Sequence, residues 1–264
     1  MNSGRLYSAD YPLLSHKHRN PRSRLEVKVV LSMALLCFLM LCCISCGQST
    51  EKQTSNTSNL KQVNQVFNSQ ITYVAIGASD TFGIGTSDPY TENWPTDLAS
   101  KLSQKVHLIN LGIPGITLHD ALNLELPVAL DSHPKLVTIW LGVNDIANAV
   151  PITSYSHDLD LMLTRLESQA PSAYILIANI PDLTLLPYFA SYNQQELHHI
   201  IEDYNATIAQ EARRHHAILV NLSQQDYNLR DHPEYVSNDG LHPTDLGYSQ
   251  IAELFYKTLK QSQR

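Results

Sequence analysis

The chain has 264 residues, 43% of them hydrophobic, enough for one ordinary domain with a buried core and some additional chain. Its formal net charge of −7 speaks against a nucleic-acid partner. All four cysteines (Cys37, Cys42, Cys43 and Cys46) lie in one stretch, so the rest of the chain has no disulfide, thiolate metal site or cysteine nucleophile.

The charge is unevenly placed. Residues 1–28 carry Arg5, Lys17, Arg19, Arg22, Arg24 and Lys28 against Asp10 and Glu26, a net +4 on a body of −11. Val29 to Ile44 follows as an apolar run broken only by Ser32. A membrane span needs roughly 20 residues, so this shorter run is expected to be the apolar core of a signal peptide behind a basic head. It ends in Cys43-Ile44-Ser45-Cys46-Gly47, which resembles a bacterial lipoprotein signal with Cys46 as the lipid acceptor. A cleaved secretory signal and a short uncleaved anchor are the alternatives. Residues 47–69 are rich in Ser, Thr, Asn, Gln and Lys and read as a flexible polar tether. The expected organisation is therefore a signal segment over 1–46, a tether over 47–69 and a folded domain over 70–264. The expected location is outside the cytoplasm, on the outer face of the cell membrane if lipidated and secreted otherwise.

Within the domain, five β-branched apolar runs have strand length: Ile71–Gly77, Val106–Leu111, Leu136–Gly142, Tyr174–Asn179 and Ala217–Asn221. Segments with helical spacing alternate with them: Asn93–Lys105, His119–Leu130, Ser154–Gln169, Gln194–His215 and Thr244–Leu259. Pro95 falls in the first turn of the first helix, Ser154 stands as the cap of the third, and Thr244 opens the last. Nearly continuous apolar strands are covered on both faces. The pattern predicts an α/β fold, a three-layer α/β/α sandwich around a five-stranded parallel sheet of flavodoxin-like type.

Four short motifs punctuate this domain: Gly77-Ala78-Ser79-Asp80, Asn110-Leu111-Gly112, Gly142-Val143-Asn144-Asp145 and Asp239-Gly240-Leu241-His242. The first three stand just past strand ends, where open α/β sheets bind ligands, so residues far apart in sequence share one edge. A serine hydroxyl is a weak nucleophile without a base, and histidine has the suitable pKa. Asp239, three residues before His242, can accept from Nδ1–H and leave Nε2 facing Ser79. The Ser79 and Gly112 N–H groups and the Asn144 carboxamide can meet an oxyanion. Each motif alone reads as a turn or cap; together and in this order they describe acyl-transfer chemistry.

The four blocks resemble those of the SGNH (GDSL-type) hydrolase family of serine esterases and lipases, over about Ile71 to Leu259. The resemblance implies Ser79 as nucleophile, Asp239 and His242 as its partners, and Ser79, Gly112 and Asn144 as the oxyanion hole. It implies hydrolysis of carboxylic esters without cofactor or metal, the substrate being a small-molecule, lipid or acylated-glycan ester. The family's first block is usually Gly-Asp-Ser; here Ala78 replaces the acid and Asp80 follows the serine. A catalytically silent binding module of the same fold and an acyltransferase using the same acyl-enzyme are the competing readings. Oligomeric state is not legible.

The remaining candidates are minor. No Gly-x-Ser-x-Gly elbow, Walker loop or Gly-x-Gly-x-x-Gly motif is present, and Gly83-Ile84-Gly85 is too short to count. No His/Asp cluster has metal spacing. His198-His199 and His215-His216 are expected to be solvated, and His232 is the alternative base. The apolar loop after the fourth strand, with Tyr188 and Phe189 and with Tyr192 beyond, is either a substrate wall or a packed loop. Tyr90 and Trp94 are placed similarly.

Overall fold

The computed structural model describes residues 70–102, 105–223 and 227–262. The signal-like segment, Cys46 and the tether lie outside them. Five parallel strands form one sheet: β1 Ile71–Gly77, β2 Val106–Asn110, β3 Leu136–Trp140, β4 Tyr174–Ala178 and β5 Ile218–Val220, in the order β2-β1-β3-β4-β5. This is the expected flavodoxin-like arrangement, with its topological switch between β1 and β3. The helices are α1 Ser79–Phe82, α2 Trp94–Lys101, α3 Leu118–Asp131, α4 Val143–Ala147, α5 Ile152–Gln169, α6 Gln194–Arg214 and α7 Asp245–Ser262. Helices α2 and α7 pack together in one layer, and α3, α5 and α6 pack side by side in another.

The sequence pattern explains which strands lie innermost. Every residue of Leu136–Trp140 is buried, whereas β2 and β5, at the two edges, are only partly covered. Trp94 is fully buried and stacks on Phe255 at 4.4 Å, joining α2 to α7. Strand β1 ends where its apolar run does, and the other four end one or two residues earlier than theirs. Leu111, Leu141 and Gly142 are apolar but have already left the ladder, Gly142 with φ +129°. Three helix starts are capped by side chains: Asn93 accepts from Thr96 N–H, Thr117 from Asp120 N–H, and Asn193 from the N–H groups of Gln195 and Glu196. Ser154 is not a cap, because α5 already begins at Ile152 behind Pro151, whose fixed φ suits a helix start. Thr244 acts just before α7, its carbonyl accepting from Tyr248 N–H at 2.8 Å.

Candidate active site

The chain turns sharply out of β1 into α1, placing Ser79 at the carboxyl edge of the sheet beside the switch point. Residues 235–244 bring the partners to it. This loop is closed by an antiparallel bridge between Val236 and Pro243 and by hydrogen bonds from Ser237 N–H to His242 O and from Thr244 N–H to Tyr235 O. Inside it Asp239 organises the turn. Its Oδ1 accepts from the N–H groups of Leu241 (2.8 Å) and His242 (2.9 Å) and from the Ser237 hydroxyl (2.9 Å). Its Oδ2 lies 2.6 Å from His242 Nδ1, and His242 Nε2 lies 2.9 Å from Ser79 Oγ.

Burial opposes ionisation of Asp239, but the hydrogen bonds from His242, Leu241 and Ser237 outweigh it and hold the carboxyl well below its ordinary pKa. An ionised carboxylate only accepts, so Nδ1 must carry the proton and Nε2 is left to accept from the serine hydroxyl. Ser79, His242 and Asp239 are thus brought together as the sequence suggests. His232 is not: its Nδ1 engages Glu234 at 2.9 Å and its ring stacks on Tyr235.

Asn144 and Asp145 grip the loop after β2. Asn144 Nδ2 donates to Ile116 O at 2.9 Å, and both carboxylate oxygens of Asp145 accept from Leu118 N–H at 3.2 Å. Burial drives the Asp145 pKa up to about 6, with the Leu118 N–H opposing the rise. A carboxamide has two N–H bonds, so Asn144 retains one for a ligand.

Gly112 departs from expectation. Its N–H donates to Asn110 Oδ1 at 3.0 Å and is already spent. Its lack of a side chain serves packing instead, since a Cβ there would lie 2.4 Å from Phe82 N. Three residues on, Gly115 has φ +82°, faces open space, and its N–H has no protein acceptor among the described residues. It is also the residue before Ile116, whose carbonyl holds Asn144. The Ser79 N–H is likewise without a protein acceptor. Among the described residues, the Gly112 N–H is thus engaged within the loop, whereas the Gly115 N–H is free to meet a ligand.

A cleft opens at Ser79, Asn144 and His242, and its walls are mostly apolar: Trp140, Val143, Leu183, Leu186, Leu229 and Tyr235 among them. The loop after β4 does form a wall, but through Pro181, Leu183 and Leu186. Phe189 is fully buried and packs edge-on against Tyr188 and Tyr192, so it is a core residue. Tyr188 is 52% exposed; its N–H donates to Gly240 O, so it braces the Asp239 loop and does not line the cleft. Tyr90 is exposed and rests edge-on against Phe82, and Trp94 belongs to the core.

Two carboxyls stand near Ser79, Asp80 from the first motif and Glu125, which no motif contains. Asp80 lines the cleft and accepts from Thr81 N–H at 2.8 Å; burial pushes it up to about 6 against that bond and the nearby His242. Glu125 reaches Gly77 N–H from α3 at 3.1 Å. Away from the cleft, His198 and His199 are exposed, as expected, but His215 is buried among Asp160, Glu167 and Glu211 with Arg214 alongside. Asp160, Glu211 and His215 are the one group among the described residues with ligand-like spacing, and Arg214 already pairs with both of its carboxylates.

A flavodoxin-like sheet with this constellation at its carboxyl edge defines an SGNH-type α/β scaffold. The chain belongs to the GDSL-like lipase/acylhydrolase family, which it matches over residues 75–250. It is 25% identical over 194 residues to an arylesterase of Vibrio mimicus, covering 68% of this chain and 84% of that one. The psychrotrophic esterase EstA from a Pseudoalteromonas species superposes with a TM-score of 0.58 at 22% identity, covering 73% of this chain and 98% of that one. A lipase/acylhydrolase from Enterococcus faecalis gives 0.59 at 20% identity, covering 73% and 96%. At the level of the family, the chain is a carboxylic ester hydrolase.

Proposed function

We propose that this protein cleaves carboxylic esters through an acyl-enzyme formed on Ser79. The observation that carries the reading is the unbroken hydrogen-bonded series Asp239–His242–Ser79, at 2.6 and 2.9 Å, at the mouth of an apolar cleft. His242 Nε2 takes the proton as Ser79 Oγ attacks the ester carbonyl. The carbonyl oxygen becomes an oxyanion, received by the N–H groups of Ser79 and Gly115 and by the remaining N–H of Asn144. His242 then gives its proton to the leaving alkoxide, and the acyl group stays on Ser79. Water enters, loses a proton to His242 and releases the acid as Ser79 recovers its proton. Asp239 stays ionised throughout, fixing the tautomer and balancing the imidazolium.

The apolar cleft favours an ester with an aliphatic or aromatic group to bury, in keeping with the arylesterase relative. Hydrolysis of p-nitrophenyl esters from acetate to palmitate, by the protein and its Ser79→Ala variant, tests the reading. Turnover should vanish with the hydroxyl and peak at one chain length. A folded protein that turns over none of these esters and does not react with a fluorophosphonate probe would instead be a silent module. Product analysis with a competing alcohol separates hydrolysis from acyl transfer.

We also propose that the protein is exported and anchored through a lipid on Cys46, as the Ser45-Cys46 junction behind the apolar run suggests. Mass spectrometry of the mature N-terminus tests this; an unmodified Cys46 or a start elsewhere ends it. Among the described residues no helix is long and apolar enough to cross a membrane.

A further inference from the structure

Helix α3 turns a continuous apolar stripe towards the core: Leu118, Ala121, Leu122, Leu126 and Ala129 are all buried. Glu125 stands within that stripe and is 1% exposed. An acid so buried needs a partner, and Glu125 finds its partner in the backbone that carries the nucleophile. Strand β2 pairs with β1 only as far as Ala75 and Asn110, so the polar groups of Gly77 are left beyond the ladder. The Gly77 carbonyl accepts from Ile113 N–H at 3.1 Å, and the Gly77 N–H donates to Glu125 Oε2 at 3.1 Å. Glu125 therefore closes the gap between the end of β1 and the loop after β2. Ser79 lies two residues beyond one side of this junction and Gly115 two residues beyond the other.

The junction is tight. A Cβ on Gly77 would lie 2.0 Å from Thr81 Oγ1 and 2.9 Å from the Trp140 carbonyl. Any drift of the turn is thus felt directly by Ser79. We propose that Glu125 is a positioning residue, one that holds the β1–α1 turn and the loop after β2 in the register that lets the Ser79 and Gly115 N–H groups converge on one oxyanion. This rests on the hydrolase reading above.

The protonation of Glu125 agrees with the role. Burial pushes its pKa up to about 8; the N–H groups of Gly77 and Ile113 oppose the rise, and the Asp80 carboxylate adds to it. Asp80 on α1 is the charged neighbour that faces Glu125, and His242 faces Asp80 in turn. At neutral pH the carboxyl is uncharged and still accepts from Gly77. Ionised, it would set a negative charge in low dielectric behind the donors that meet the oxyanion.

The test is the pH profile of ester turnover, from about pH 6 to 9.5, for the protein, Ser79→Ala, Glu125→Gln and Glu125→Leu. Misplacement of about 1 Å can cost roughly 10² in rate, so Glu125→Leu should lose about 10- to 100-fold in kcat with KM little changed. Glu125→Gln keeps an acceptor for Gly77 and should restore kcat to within about threefold at pH 7. The protein's kcat/KM should decline above about pH 8, and that decline should be missing from Glu125→Gln. A folded Glu125→Leu with wild-type kcat, or an alkaline decline unchanged in Glu125→Gln or lacking in the protein itself, overturns the inference. Should Glu125→Leu fail to fold, the Glu125→Gln profile decides. Turnover lost with Ser79 but indifferent to both Glu125 variants sinks this inference alone; turnover indifferent to Ser79 sinks the hydrolase reading and this with it.

Discussion

Asp239→Asn separates the structural work of Asp239 from its electrostatic work. The carboxylate accepts four hydrogen bonds, three at Oδ1 from Ser237, Leu241 and His242 N–H and one at Oδ2 from His242 Nδ1. An asparagine whose oxygen takes the Oδ1 place keeps the first three, so the loop should hold its shape. Its amide then faces Nδ1 across 2.6 Å, where two N–H groups cannot meet. The imidazole must carry its proton on Nε2 instead, donating to Ser79 where it should accept. The wrong tautomer costs about 10⁴ in kcat, or about 5.5 kcal/mol. KM should change little, because Asp239 does not line the cleft. The assay is p-nitrophenyl ester turnover with fluorophosphonate labelling in parallel, and labelling should slow as turnover does. Asp239→Ala also strips the three Oδ1 bonds and should lower Tm further. An Asp239→Asn enzyme that keeps more than about a tenth of wild-type kcat would refute the argument.

Other outcomes follow from the same geometry. Asn144→Ala removes one oxyanion donor and should cost roughly 10²–10³ in kcat on the best ester; an unchanged kcat removes Asn144 from the oxyanion hole. Gly112→Ala drives a Cβ against the backbone of Phe82 at 2.4 Å and should cost about 2–4 kcal/mol in urea unfolding. Gly115→Ala meets no neighbour, only an unfavourable φ, and should cost about 1–2 kcal/mol; a reversed order contradicts the packing described. Stability should fall as pH rises from about 4 to about 8. Glu125, about 8 when folded, and Asp80 and Asp145, about 6 each, all lie above their ordinary values of 4.5 and 3.8, so between those limits the unfolded chain binds fewer protons. Glu125 alone contributes at most about 5 kcal/mol of this slope, and Glu125→Gln should flatten it in urea midpoints across pH 5 to 8. Stability that rises over that range, or the same slope in the variant, contradicts the assignment. Asp239, lowered by folding, acts oppositely and loses its share only as pH falls below its ordinary value.

The fold class, a parallel five-stranded sheet between helices, is legible in the sequence because five strand-length apolar runs alternate with helical spacing. Strand ends are less so, because apolarity continues through Leu111 and Leu141 after the ladder has stopped. Ser79, Asn144, Asp239 and His242 are legible because a hydroxyl, a carboxamide, a carboxylate and an imidazole in that order and spacing mark a candidate acyl-transfer site. Gly112 and Gly115 differ only in where their N–H groups point. Nothing in the residue letters says that Asn110 consumes the first. The loop after β4 is recognisably apolar, yet its two short 3-10 turns decide that Leu183 and Leu186 face the cleft while Phe189 turns inward. His215 reads as solvated because its sequence neighbours are polar; Asp160 and Glu167, which enclose it, come from a different helix. Glu125 did leave a trace, a single acid inside an apolar stripe at helical spacing.

Asp239 and His242, the proposed orienting acid and general base, travel together on one short loop, while Ser79 stands 163 residues before His242. Within the proposed triad, only one distant alignment, His242 onto Ser79, therefore has to be achieved. That alignment is kept by the docking of α7, through the Trp94–Phe255 stack, the Lys101–Glu253 pair at 2.9 Å and the Tyr248 hydroxyl on Ile84 O at 2.7 Å. Fraying of this last helix would silence turnover while the sheet stayed intact. On warming, inactivation should run ahead of the loss of secondary structure, making catalysis itself the most sensitive thermometer of how firmly the carboxyl-terminal segment is seated.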